Sequence, residues 1–93
     1  MTYRVVISGA AEKDLRRIRD RTALRRLFSA IEALADDPRP SHAGKLRGMD
    51  NIWRIRVGDW RICYSIEIDR LIVLVLTIAR RGDVYERLRR RLD

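Results

Sequence analysis

NIWRIRVGDWRICYSI, residues 51–66, sets two runs of alternating residues on either side of Gly58-Asp59. A Gly-Asp pair between such runs is the signature of a two-residue hairpin turn, with Gly supplying positive φ at the first turn position. With Gly58 and Asp59 as the loop, Val57 faces Trp60, Arg56 faces Arg61, Ile55 faces Ile62 and Arg54 faces Cys63. Side chains alternate across a strand, so Arg54, Arg56 and Arg61 share one face. Trp53, Ile55, Val57, Trp60, Ile62 and Tyr64 share the other, which has the composition of a core. Like charges directly opposite each other cost roughly 0.2–1 kcal/mol per pair. Three arginines gathered at that cost point to an anion that occupies the face in use.

Working outward, Ile68-Asp69-Arg70 reads as a turn. It leads into LIVLVLTIA, residues 71–79, a continuous aliphatic run of the kind found in a strand buried on both faces. Asp83 to Leu92 has helical spacing, with Asp83 and Glu86 at the separation of a capping box. Ahead of the hairpin, DDPRPSHAGKLRGMD (residues 36–50) carries two prolines and two glycines with no periodicity, and reads as a loop. Before it, Tyr3 to Ile7 reads as a short strand. Ala11, Leu15 and Ile18 mark a helix over about 10–19. Leu24, Leu27, Phe28, Ile31 and Leu34 mark a second over 20–35, with Asp20 or Thr22 as its cap. Helices joined this closely form an antiparallel hairpin. The expected fold is α+β, in the order β-α-α-β-β-β-α. It is a small, mainly antiparallel four-stranded sheet with an N-terminal helical hairpin on one side and a C-terminal helix.

Ninety-three residues, 46% hydrophobic and 37% charged, make one folded domain over residues 1–93, not a disordered tail. The net charge of +8 comes almost wholly from arginine, since Lys13 and Lys45 are the only lysines. Arginine's planar fork matches phosphate oxygens in a bidentate way and stays charged at any physiological pH. Nucleic acid, or an acidic protein masking the same surface, is therefore the expected partner class. A solvated arginine surface is the plain alternative. Cys63 is single, so no internal disulfide forms, and its apolar strand marks it as structural. The N-terminal MTYRVVISGAAEKD has no apolar run of signal-peptide length, and Leu71–Ala79 is too short to span a membrane. No membrane association and a cytoplasmic location are expected.

Most familiar chemistries are absent from the sequence. His42 is the only histidine and falls in the Pro/Gly loop, where it reads as exposed and incidental. No Cys/His cluster has metal-ligand spacing. GKLRG lacks the frame of a phosphate-binding P-loop. Neither a metal nor another cofactor is expected, so catalysis would run on Arg, Lys and Tyr. IARRGDVYERLRRR, residues 78–91, supplies a second group of such residues. Arg80 and Arg81 leave the end of a strand, and Tyr85 stands in the first turn of the last helix, a natural place for an anion. Taken singly, Arg80 and Arg81 fit a solvated loop, Tyr85 a half-packed amphipathic residue, and Arg87–Arg91 a basic solvent face or a generic RNA-backbone contact.

KLRGMDNIWRIRVGDWRICYSI (45–66), followed by LIVLVLTIARRGDVYERL (71–88), resembles the RelE family of bacterial toxin endoribonucleases, within the broader RelE/ParE superfamily. YRVVISGAAEKDLRRI at the start extends the likeness over nearly the whole chain. The Arg-hydrophobic-Arg hairpin and the terminal Arg-x-Asp-Val-Tyr are specific when found together. The resemblance implies a small twisted antiparallel sheet with two N-terminal helices and a C-terminal one. It also implies metal-independent cleavage of mRNA in the ribosomal A site. There the RNA 2′-hydroxyl attacks the adjacent phosphate and leaves a 2′,3′-cyclic phosphate or 3′-phosphate end.

By the same resemblance, Arg54 and Arg56 stand at two basic hairpin positions and Arg61 at the strand arginine that holds the phosphate. Arg81 matches the arginine that protonates or stabilises the leaving oxygen, and Tyr85 the tyrosine that acts as base. Lys45, Arg47 and Arg80 join Arg54 and Arg56 as phosphate and RNA contacts. Arg80 stands where many relatives have His. A guanidinium with pKa above about 12 is a poor proton carrier, which assigns Arg54 and Arg56 to binding and electrostatics. The implied partners are the ribosome with its mRNA and a cognate acidic antitoxin that folds across the toxin. Operator DNA would be reached only through that antitoxin. Two other readings share the fold: a ParE-like toxin that inhibits DNA gyrase by binding, and an inactive basic domain that binds an antitoxin and its operator.

Overall fold

The computed structural model describes residues 2–92. In chain order it has β1 (Arg4–Ile7), α1 (Gly9–Arg17), α2 (Arg21–Ala33), β2 (Gly44–Lys45), β3 (Ile52–Val57), β4 (Trp60–Glu67), β5 (Ile72–Arg80) and α3 (Val84–Leu92). Gly58 takes φ +61, and the register runs Val57↔Trp60, Arg56↔Arg61, Ile55↔Ile62 and Arg54↔Cys63, as the alternation requires. Ser8 caps α1 by accepting from the Ala11 N–H at 3.1 Å. Asp20, not Thr22, caps α2, accepting from the N–H groups of Thr22 and Ala23 at 2.9 and 3.2 Å. Two donors at the helix start are thereby satisfied. Glu86 turns to Arg90 at 2.6 Å, so its carboxylate is engaged along α3 and not with Asp83.

The sheet has five strands in the order β1-β5-β4-β3-β2, one more than expected. The extra strand lies inside the 36–50 segment read as loop, where Gly44 and Lys45 pair with Arg54 and Trp53. Two residues carry no periodicity, so nothing in the local pattern announces such a strand. All pairings are antiparallel except β1 with β5, which is parallel.

Helices cover both faces. Against α1 and α2 lie Ile55, Ile62, Tyr64, Ile66, Val73, Val75 and Ile78, packed on Ala11, Leu15, Leu27, Ile31 and Leu34. The Tyr64 hydroxyl donates to Pro38 O at 2.7 Å, which pins the start of the 36–43 connection to the core. Burial, with the Asp37 charge, pushes that phenol up from its ordinary value. On the other face Val84 and Leu88 of α3 pack on Ile52, Cys63 and Ala79. A bulge in β5 makes both faces possible: Cys63 pairs with Thr77 but Tyr64 with Val75, so Leu76 is the extra residue and the side-chain phase reverses there.

Candidate nucleic-acid interface

Arg54, Arg56 and Arg61 lie on the α3 face, where Arg54 is half-buried and Arg56 exposed. The Arg56–Arg61 opposition is relieved because the Arg61 guanidinium turns toward the hairpin loop. It donates to the carbonyls of Gly58 at 2.8 Å and Trp60 at 2.9 Å. Backbone dipoles thus take over part of the screening that a carboxylate would give.

Arg54 is treated differently. Its guanidinium crosses over β2, so close that a Cβ on Gly44 would stand 2.7 Å from Nη2. Glycine at 44 is what lets the side chain lie flat there. The Nε is buried and, among the described residues, has no hydrogen-bond partner. An unpaired buried donor on a cation is costly and rare in folded proteins, and it calls for an explanation. The neighbouring Cys63 thiol is buried and pushed up to about 12 by desolvation, with the Arg54 charge pulling the other way. So raised a thiol is mostly protonated and inert at physiological pH, and Cys63 is no nucleophile.

Arg54 opens onto a cleft of about 550 Å³ between β2, the 46–49 turn and α3. Lys45, Arg47, Arg54 and Arg89 bring four cations to its lining, and Tyr85 adds a phenol that is 39% exposed. Among the described residues, no carboxylate lines it. Such a cleft, with its positive field held between protein walls, concentrates anions.

The candidate residues therefore fall into three groups. Lys45, Arg47, Arg54 and Tyr85 line one cleft. Arg56 and Arg61 lie on the same sheet face nearer the turn, and the Arg81 N–H donates to Asp59 O at 2.9 Å, tying that residue to the same turn. Arg80 is set apart: it pairs with Trp60 on the opposite face, with its guanidinium 4.8 Å from the indole centroid. His42 is exposed. Among the described residues, no group of three or more His, Cys, Asp or Glu could hold a metal ion.

Two further residues matter: Arg89, read only as part of the basic run 87–91, and Asp14, which the sequence did not single out. Arg89 stands one helical turn after Tyr85, so the i, i+4 spacing alone places them on one face. The second is Asp14, whose side chain is 1% exposed. It shares the apolar face with Ala11, Leu15 and Ile18, and a carboxylate on such a face signals a buried partner. Arg91 and Arg87, expected on a solvent face, meet it at 2.6 and 3.7 Å.

The fold has known counterparts. The family described as ParE toxin of type II toxin-antitoxin system, parDE, matches residues 5–85. A toxin candidate named RelE1 from Methanocaldococcus jannaschii is 29% identical over 89 residues, which is 92% of this chain and 98% of that protein. The RelE chain in the RelE–RelB complex of Pyrococcus horikoshii is 30% identical with a TM-score of 0.77, over 88% of this chain and 98% of that one. A mutant of the Escherichia coli toxin RelE in the free state gives a TM-score of 0.79 over 100% of both chains. At 22% identity it speaks for the fold alone. No helix among the described residues is long and apolar enough to cross a membrane.

Proposed function

The chain belongs to the RelE/ParE family of type II toxin–antitoxin toxins, and on that premise we propose that it is a metal-independent endoribonuclease that cuts mRNA in the ribosomal A site. The observation that carries this reading is the half-buried Arg54 beside Tyr85 in a cleft lined by four cations and, among the described residues, by no carboxylate. A phosphodiester in the cleft supplies the negative charge that the cations of its lining, Lys45, Arg47, Arg54 and Arg89, would face. The attack of a 2′-hydroxyl gathers further negative charge on the phosphate oxygens, and preorganised cations stabilise that state more than the ground state.

In this mechanism Arg54 and Arg56 hold the RNA backbone, with Lys45 and Arg47 along its path; Arg80, expected to join them, faces Trp60 on the other side of the sheet and takes no part. Arg61 grips the scissile phosphate. Tyr85, in the role of general base, takes the 2′-hydroxyl proton while the 2′-oxygen bonds to phosphorus. The bond from phosphorus to the 5′-oxygen breaks, Arg81 stabilises the charge on that oxygen, and solvent supplies its proton. The products are a 2′,3′-cyclic phosphate and a free 5′-hydroxyl. No step in this scheme calls for a metal or an organic cofactor.

The same cleft implies a protein partner. Family relatives from Pyrococcus horikoshii and Methanococcus jannaschii have been crystallised as complexes with the antitoxin RelB. For this chain the partner is a cognate antitoxin whose acidic segment covers the cations in the cytoplasm. The pair would reach operator DNA through the antitoxin.

Programmed ribosomes test the reading with wild type, Arg61→Ala and Tyr85→Phe. Cuts map to the A site in the wild type, and each variant is slower by about a hundredfold or more. A wild type that leaves mRNA intact overturns the proposal. Gyrase-dependent DNA breaks in cells would then assign the arginine face to protein binding.

A further inference from the structure

α3 carries three stripes of side chains. Val84 and Leu88 are fully buried against the sheet. Tyr85 and Arg89 line the basic cleft. Arg87 and Arg91, again one turn apart, reach across the other flank to Asp14 on α1. The Asp14 oxygens accept from both terminal nitrogens of Arg91, at 2.6 and 2.8 Å, and from the Ile78 N–H at 3.0 Å. Arg91 also donates to Leu76 O at 3.1 Å and Thr77 Oγ1 at 3.2 Å.

The position of this node explains its chemistry. β1 ends at Ile7, opposite Val75; Ser8 still donates its N–H to Val75 O at 2.9 Å and its hydroxyl to Leu76 O at 3.4 Å, and past Ser8 no strand among the described residues lies beside the outer edge of β5. In a parallel pair, the next residue of β1 would engage the carbonyl and N–H that flank its partner. Past that point Asp14 accepts from the Ile78 N–H, and Arg91 shares the Leu76 carbonyl with the Ser8 hydroxyl. The carboxylate therefore joins three elements, α1, the bulged part of β5 and the last turn of α3. None of Asp14, Arg87 and Arg91 lines the cleft that holds Arg54.

We propose that Asp14 is a positioning residue for the ribonuclease site: through Arg91 and Arg87 it clamps α3 to β5 and so sets where Tyr85 and Arg89 stand across the cleft from Arg54. Burial of Val84 and Leu88 holds the helix against the sheet, but two aliphatic side chains leave it free to rock and slide. A planar bidentate ion pair on a fixed strand edge removes that freedom. The role rests on the reading of the cleft as the RNA site, while the clamp itself does not.

The test uses two conservative variants of the full chain, Arg91→Lys and Asp14→Asn. The first keeps the charge and loses the fork; the second keeps an acceptor for Ile78 and loses the charge. Hydrogen exchange is followed in α3 and in β4 together with mRNA cleavage on programmed ribosomes. Exchange of α3 amides should rise about tenfold in Arg91→Lys, with β4 protection unchanged. Turnover should fall about tenfold or more while KM stays within about twofold, since a misplaced group costs the chemical step more than binding. Asp14→Asn should change both in the same direction by less. Wild-type protection of α3 in both variants overturns the clamp, and so does equal loss of protection in α3 and β4, the mark of a merely structural pair. Wild-type turnover beside loosened α3 overturns the positioning role. A wild type that does not cut mRNA overturns the ribonuclease reading and that role with it, and the exchange data then decide the clamp alone.

Discussion

Arg91 and Arg54 are both partly buried arginines against the same sheet, and their surroundings are opposite. Arg91 has 25% of its side chain exposed and donates to both oxygens of Asp14, to Leu76 O and to Thr77 Oγ1. Its hydrogen bond to that carboxylate raises its pKa further, outweighing the opposite effect of burial. Arg54 has a buried Nε with no partner among the described residues and stands beside three more cations. Among the described residues, folding has supplied a counterion to the one and none to the other. A cation satisfied from within contributes to the structure. A cation held in place without a partner is kept there by the rest of the fold, and its use lies in what comes from outside.

The contrast breaks most severely at Asp14. Replacing it with Ala leaves Arg91 and the Ile78 N–H without their acceptor, a change that costs about 3–5 kcal/mol in urea unfolding. A loss below about 1 kcal/mol would remove the distinction between the two arginines. Gly44→Ala sharpens the comparison from the other side. The new Cβ meets the far end of Arg54, which swings away at little cost to the fold. Cleavage should slow about tenfold, about 1.4 kcal/mol in the barrier, with the urea midpoint kept. Unaltered cleavage would show that the flat pose of Arg54 is dispensable. The smallest effect belongs to Arg16, paired with Glu12 at 2.9 Å with 72% and 55% of the two side chains exposed. Arg16→Ala should cost about 0.3–0.5 kcal/mol in the same unfolding measurement and leave cleavage alone.

How much of this was legible in the sequence differs from residue to residue. The hairpin register was readable because its side chains alternate with period two and Gly58-Asp59 sets the phase. The three-arginine face and the apolar face followed from that alone. β2 was not readable, because its pairing depends on a neighbouring strand and on the missing Cβ of Gly44. Nor was the bulge: in a run such as LIVLVLTIA no alternation exists whose reversal could be seen at Leu76. The arginines of α3 posed a different difficulty. Positions 87, 89, 90 and 91 are all the same residue type, so composition cannot say which face the cleft, the solvent or Asp14. Asp14 held the answer, as a carboxylate on an apolar helix face, but its partner lies 77 positions away. Arg80 shows the converse, adjacent to Arg81 in the chain yet directed to Trp60 on the other side of the sheet.

The most direct test of this account is Arg54→Ala, with urea unfolding and mRNA cleavage on programmed ribosomes measured on the same preparation. The account predicts a midpoint close to wild type, since no hydrogen bond of the Arg54 Nε is lost, and cleavage slower by about a hundredfold or more. A stably folded Arg54→Ala protein that cuts mRNA at the wild-type rate would contradict it.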